Sequence, residues 1–559
     1  MKYNYFSLLI SFVSIALCLS CDGNNELKNT DPPIIIEVPV DPNFPTNPKI
    51  IDTEGAVVIT FGLQTASITN PFEGKGVTIT RNEANVVVQS TSTDTIKYIL
   101  TGSTPNGSLK IYSDTQFYLV MNGADITNAN DPALNIQSHK KVSITLIEGT
   151  SNRLAGGMGF ASEGGAEDTK AAFFSEGQLV FSGDGHLTVI SRYRHAICCD
   201  NIIRINGGDI SIPLSANDGI HSNELIEVNG GTIEINAIGD GMDSEANVLI
   251  TGGSMLITTT GDKSHGIKSA NETTIQSSTD ITINVEGGAS KAFKCGGDML
   301  ISQGNLSLTT SGDACYDESE RDISSASGIK CNKNLTINGG TIVINSSGLG
   351  GKGISVDGSL TIINGEVAVT TTGDVYKQST DNTKAKAMKI DGNLTINGGI
   401  VFADSKTDNA IDSKESLTIT GGTIIGVSRA SSKRTFECGK TFKITGGTLI
   451  GIGGESSSPT TNACTQYVVN YAGGVSQNTI MHIASSTDKN ILTYQLPCTL
   501  SKAFILFSSP ELEQNTDYSI FSGGIATGGS SFHGLYKDAT HSGGTSLVTF
   551  RLSSMVTNM

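Results

Sequence analysis

The sequence has no tryptophan, only 13 prolines, and fewer basic than acidic residues, 37 against 54. The resulting net charge of −17 excludes a nucleic-acid backbone as the main partner, because that partner demands clustered Lys and Arg. Cations and neutral or mixed-charge ligands remain. Helical periodicity is missing too. Apolar residues recur at every second position of many short segments, the spacing of strands with one buried face. Glycine, by contrast, is abundant at 65 residues, which points to many tight turns in a chain long enough to bury a large core.

Met1-Lys2 followed by the apolar run Phe6 to Leu19 has the charged and hydrophobic regions of a secretion signal, residues 1–20, and is too short and too early for an ordinary membrane span. The mature protein is therefore expected to be exported. Ser20-Cys21 closes the run and resembles a bacterial lipoprotein signal, which implies acylation of Cys21 and an anchor in the outer membrane or at the cell surface. Cys18 stands where leucine is usual there, and a plain secretory cut after Ser20 is the alternative. Residues 21–55 then read as the lipidated cysteine and a polar tether marked by Pro32, Pro33, Pro39, Pro42, Pro45 and Pro48, with little tendency to pack. The lipid is the only expected contact with membrane, and a monomer is expected.

From Leu179 the chain repeats a phrase: INGGDISI, VNGGTIEI, ITGGSMLI, INGGTIVI, INGGIVFA, ITGGTIIG and ITGGTLIG. The first turn glycines Gly207, Gly230 and Gly252 are 23 and 22 residues apart, and Gly398, Gly421 and Gly446 are 23 and 25 apart. A unit of that length cannot close its own core, so it must stack on its neighbours. The expected fold is all-β, a parallel β-helix whose coils rise by about 4.8 Å, with irregular first coils at 56–178, a regular solenoid at 179–455, and an antiparallel β cap at 456–559, where the glycine corners cease. Asn206, Asn229, Asn338, Asn364 and Asn397 would form a ladder at one corner. Cys199, Ser222, Ser244, Ser269, Cys295, Cys331, Ser413 and Cys438 fall in one interior column, so the cysteines read as buried small residues rather than a disulfide scaffold; a Cys295–Cys331 bond is geometrically permitted.

Aligning coils on the inward Ile or Met puts Asp218, Asp240 and Asp262 in one file at intervals of 22 residues, with Asp313 and Asp374 returning to it later. Stacked carboxylates about 5 Å apart repel by a few kcal/mol at an effective dielectric near 20. Calcium, with Asp243, Asn217 and Glu245 completing its shell, would neutralise them; a solvated acidic edge is the alternative. One residue after the inward position stand His221, Asp243, Lys268, Lys294, Lys330, Ser355, Lys389 and Asp412. The four lysines read either as a strip that meets an anionic polymer or as side chains splayed into water. Insertions grow from the same corner, fourteen residues at 314–327 and twelve at 375–386, as on the binding face of a repeat protein. Tyr316 and Tyr376 lie on these loops, suited either to stacking on sugar rings or to ordinary loop packing.

The segments TQFYLVMNGADITNANDPALNIQSHKKVSITLIEGTSNRL, FSEGQLVFSGDGHLTVISRYRHAICCDNIIRINGGDI and NDGIHS resemble bacterial carbohydrate-binding β-helix proteins related in shape to pectate lyases. The resemblance runs from about 56 to 455. It implies a right-handed β-helix, bound calcium held by aspartates of DG phrases, which match Asp218 and Asp240, and affinity for plant-type polysaccharides including acidic pectic ones. The chain departs from the family at Arg192, Arg194 and His195, where Asn, Asp and Gly are usual. Three functions remain open: a non-catalytic polysaccharide binder; a lyase that cleaves uronates with calcium and a base, for which Lys268 beside Asp240, Asp243 and Asp262 is the first candidate; and an adhesin or structural solenoid.

Overall fold

The computed structural model describes residues 44–559 except 162 and 166; the signal segment, Cys21 and most of the tether lie outside the described residues. Each regular coil contributes three strands. Met242–Ser244, Asn247–Ile250 and Ser254–Thr259 form one coil, and the next repeats them as Ile267–Ser269, Thr273–Ile275 and Asp280–Val285, each strand parallel to its predecessor and in register with it. The short strands gather into a 15-stranded sheet from Val77–Asn82 to Phe436–Cys438, and the other two strands of each coil build the remaining faces. The fold is a parallel β-solenoid, and no α-helix occurs among the described residues.

Alternation explains the interior. Ile220, Met242, Ile267, Phe293, Ile329 and Ile354 stack one above another and are buried, while the residues between them face outward. Two glycine demands shape the corners. The second glycine of the Asn-Gly-Gly phrase takes a left-handed conformation, as at Gly231 with φ +86, which side chains with a Cβ resist. Near the opposite corner the coils approach so closely that a Cβ on Gly312 would lie 1.8 Å from the Gly287 carbonyl oxygen.

The interior column of small residues has a more specific task than filling space. Ser222 Oγ donates to Asn201 O (2.6 Å) and Leu225 O (3.1 Å), and Cys295 Sγ to Asn271 O (3.1 Å) and Asp298 O (3.3 Å). Serine and cysteine interchange because each supplies a donor to these turn carbonyls. Cys295 and Cys331 are stacked but both thiols are free. Val356 and Ile390 interrupt the column. The amide ladder is short: Asn229 donates to Asn206 at 2.9 Å, and Thr420 rather than asparagine continues from Asn397 at 3.0 Å.

Parallel stacking starts well before residue 179. After the antiparallel pair Val77–Asn82 and Asn85–Ser90, the second strand already stacks parallel to Ser108–Ser113. The end of the expected tether docks on these first coils: Asn122 brackets Lys49 with bonds to its N–H and carbonyl at 2.8 Å each, and Arg153 lies over the Phe44 ring. At the other end Leu500–Ser508 pairs antiparallel with the last solenoid strand, Thr448–Gly453, and with Val468–Val475. This blocks an edge that would otherwise template aggregation.

Gly312→Ala is expected to cost about 1–3 kcal/mol through overpacking, visible as a lower melting temperature. Gly159, which has no heavy atom within 4 Å of its would-be Cβ, serves as the control: Gly159→Ala is expected to melt with the wild type.

Candidate functional site

The 15-stranded sheet presents the outward file His221, Asp243, Lys268, Lys294, Lys330, Ser355, Lys389 and Asp412, one residue per coil as the spacing predicts. Asp218 and Asp240 also stack, two residues before the inward Ile220 and Met242. Asp262 does not join them. The insertion at Lys263 to His265 separates corner from strand, so the residue two before Ile267 is His265, whose N–H donates to the Asp240 carboxylate. Asp262 and Asp313 serve a neighbouring corner, accepting the N–H groups of Gly288 (2.6 Å) and Leu349 (2.7 Å), and Asp374 pairs with Lys406 at 2.9 Å. The repeated aspartate is thus first a structural device: Asp218 accepts the N–H of Asp240 at 2.8 Å by the same logic, each carboxylate satisfying a backbone donor of the coil above.

The free oxygens of Asp218, Asp240 and Asp243 turn inward on a compact charge cluster. Asp218 Oδ2 lies 3.1 Å from His195 Nδ1 and 3.5 Å from His221 Nδ1. Asp243 Oδ2 lies 3.5 Å from His221 Nδ1 and 2.9 Å from Lys268 Nζ, which is also 3.4 Å from Asp240 Oδ2. Burial works against ionisation of Asp218, but His195 and His221 prevail and hold it well below the usual carboxylate range. Burial and then repulsion by Asp218 push Asp240 above the usual carboxylate range. Burial pulls His221 down, yet Asp218 and Asp243 outweigh it and the imidazole rises to about 10; for Lys268, Asp240 and Asp243 outweigh burial and raise it.

This arrangement does not fit a calcium ion held by Asp218, Asp240, Asp243 and Asp262. One oxygen of each of the first two already takes a backbone N–H, an ammonium and two imidazoles crowd the others, and Asp262 is elsewhere. A hard cation needs six to eight oxygens.

The two long insertions are antiparallel hairpins, Cys315–Asp317 with Asp322–Ser324 and Tyr376–Gln378 with Asp381–Thr383, carrying half-buried Tyr316 and Tyr376. Each is pinned by a buried lysine that the sequence reading did not single out. Lys291 Nζ donates to Ala289 O (2.6 Å) and Ser324 Oγ (2.9 Å), and Lys352 Nζ to Gly350 O (3.0 Å), Thr383 Oγ1 (2.8 Å) and Lys384 O. Burial, then neighbouring lysines, bring both amines down to about 7. Of the four lysines on the file, Lys268 pairs with Asp240 and Asp243, Lys330 with Asp357, and Lys389 with Asp391. Lys294 has no carboxylate within ion-pair distance among the described residues.

A family described as "Carbohydrate-binding domain-containing protein" matches residues 82–374, just over half of the chain and most of this face. A protein of Acetivibrio thermocellus with the same description is 29% identical over 119 residues, which are 21% of this chain and 41% of the relative, so the match spans well under two thirds of that relative's length. A solved structure described as the polysaccharide lyase-like protein from C. thermocellum, gadolinium derivative, is 25% identical and aligns with 44% of this chain and 96% of its own, at a TM-score of 0.38.

The depressed amine of Lys352 has a stability signature. Between pH 7 and 10.5 the unfolded chain binds a proton there that the folded chain does not, so this contribution is complete above about 10.5 and is lost as pH falls toward 7. Lys352→Met is expected to flatten part of the rise in melting temperature from pH 7 to 10, with Lys291 supplying the remainder, and to make the 376–383 hairpin more sensitive to limited proteolysis.

Proposed function

Because the chain belongs to the carbohydrate-binding domain-containing protein family, we propose that it binds polysaccharide without cleaving it, along the outward face of the 15-stranded sheet, and that the preferred polymer is acidic. The observation that carries the charge preference is Lys294. It stands between Lys268 and Lys330 on successive coils, and burial followed by repulsion from Lys268 lowers its pKa. An incoming carboxylate relieves that repulsion where the protein supplies no counterion. Successive coils are about 4.8 Å apart, so an extended polymer crossing them meets a cation on each of three consecutive rungs. The two hairpins grow from a corner of the same coils, and Tyr316 and Tyr376 on them supply aromatic faces of the kind on which sugars stack.

The same electrostatics disfavour the lyase reading. A base must be a neutral amine, yet Lys268 is held charged by Asp240 and Asp243. Lys291 has a suitably lowered pKa, but it is buried and its amine is committed to Ala289 and Ser324. Export, with Cys21 acylated, would present this face to glycans outside the cytoplasm, and the lipid would be the sole membrane contact of a monomeric body.

Binding of polygalacturonate and of a neutral glucan, measured by affinity electrophoresis, tests the reading. The acidic polymer is expected to bind more tightly, in a salt-sensitive manner, and without release of unsaturated products. Lys294→Ala is expected to weaken it at least about tenfold, the effect of one lost charge-assisted contact, with Lys330→Ala weaker in effect because Asp357 already competes for that ammonium. Unchanged affinity in Lys294→Ala overturns the site, unsaturated products restore the lyase, and failure of every glycan leaves the scaffold.

A further inference from the structure

The imidazoles of the charge cluster are placed unusually. His195 opens the strand His195–Cys199, and Asp218 precedes Ile220–Ser222 one coil above, which carries His221. The two rings stack with centroids 4.7 Å apart and 26° between planes. Both Nδ1 atoms point at Asp218 Oδ2 from 3.1 and 3.5 Å, yet neither makes a hydrogen bond, and both are buried from solvent. Asp243 Oδ1 is likewise buried without a partner, on a side chain only 5% exposed. His221 Nε2 lies 3.3 Å from Asn223 Oδ1, a partner that orients the ring so that Nδ1 faces Asp218 and Asp243. Without a metal an imidazolium answers those carboxylates; in the neutral tautomer that donates Nε2–H to Asn223, the Nδ1 lone pair is turned on the same point and can bind a cation.

We propose that His195 Nδ1, Asp218 Oδ2 and His221 Nδ1 bind a divalent transition-metal ion, zinc before others. One ligand atom from each of these three residues lies within 4.8 Å of the others, as does one from each of His221, Asp243 and Glu245. Tetrahedral zinc with bonds of about 2.0–2.1 Å sets its ligand atoms about 3.3 Å apart. The separations of 3.1 Å from His195 to Asp218, 3.5 Å from Asp218 to His221 and 3.5 Å from His221 to Asp243 bracket that value. Imidazole with carboxylate is a zinc, copper or nickel donor set and a poor one for calcium. The second shell is built as well: Asp218 is oriented by the Asp240 N–H on its other oxygen, and His221 by Asn223. Three protein ligands leave a fourth position for Asp243 or for an oxygen of a bound molecule. The competing arrangement is two imidazolium ions flanking one carboxylate with no metal.

The site does not depend on the polysaccharide reading and is tested without glycan. The full chain, stripped with chelator and dialysed, is titrated with cobalt(II) and followed by visible absorption. One equivalent is expected, with the strong bands of a four-coordinate site, displaced by equimolar zinc and unaffected by millimolar calcium. His195→Gln and His221→Gln are each expected to weaken uptake more than about a hundredfold, and Asn223→Ala about tenfold. Absence of saturable uptake by the wild type, equal competition by calcium, or unchanged uptake in the doubly substituted chain overturns the proposal. If the variants do not fold, X-ray absorption of the zinc-loaded wild type decides: scattering from two imidazoles upholds the site, and its absence ends it.

Discussion

Every other feature of this molecule depends on one constraint, the hydrogen bond from each strand residue to the coil directly below or above it. Parallel in-register stacking sets each side chain on its counterpart about 4.8 Å away. For isoleucine or valine this is favourable, since each rung extends an apolar stack closed to water. For charged residues it is not. Two like charges at such a distance repel by about 3 kcal/mol even at an effective dielectric near 20, so wherever the phrase repeats an Asp or a Lys the fold must dispose of that energy.

The chain does so in three ways. At the first regular coils it alternates sign along the file, placing Asp243 between His221 and Lys268. On later coils acids from the adjoining turn lean in: Asp357 to Lys330, where lysine follows lysine, and Asp391 to Lys389, which stands between Ser355 and Asp412. At the corner it turns the carboxylates to backbone work, so that Asp218, Asp240, Asp262 and Asp313 each cap an N–H of another coil. Two places escape these remedies: Lys294, with no carboxylate within ion-pair distance among the described residues, and the Nδ1 atoms around Asp218, with no aligned hydrogen-bond partner. Functional sites are commonly where a fold leaves local electrostatics unsettled.

How much of this could be read in advance follows from the same constraint. The file through His221, Asp243 and the four lysines was legible because a strand carries its register rigidly and the Asn-Gly-Gly corners count the coils. Asp262 was misplaced because three residues are inserted between its corner and its strand; counting from the preceding glycines follows the corner, whereas the side chains obey the strand. The docked end of the tether was hidden by its prolines, which signal extension without saying whether an extended segment lies on a surface. Lys291 and Lys352 were illegible for another reason. A lysine is buried here only because hairpins distant in sequence bring acceptors to it, as Ser324 does over 33 residues. His195 was visible as a departure from family usage, but its meaning needed the neighbouring coil, since an imidazole becomes a ligand only when a second donor arrives at the right separation.

The two unsettled places lie on one face, and their spacing links them. From His221 to Lys294 the file climbs three coils, about 14 Å at the rise of a strand pair, within the span of a short oligosaccharide. Without a metal, the three aspartates at the lower end of that stretch are answered by His221 and Lys268, and the end offers an acidic polymer no net attraction. A divalent ion bound by two neutral imidazoles and Asp218 contributes positive charge at that end and leaves a coordination position open, extending the attractive surface from the lysines downward. A face with one free ammonium then becomes a face with two anion contacts three coils apart. For an extended chain, two such contacts fix direction and register together, which a single cation cannot do.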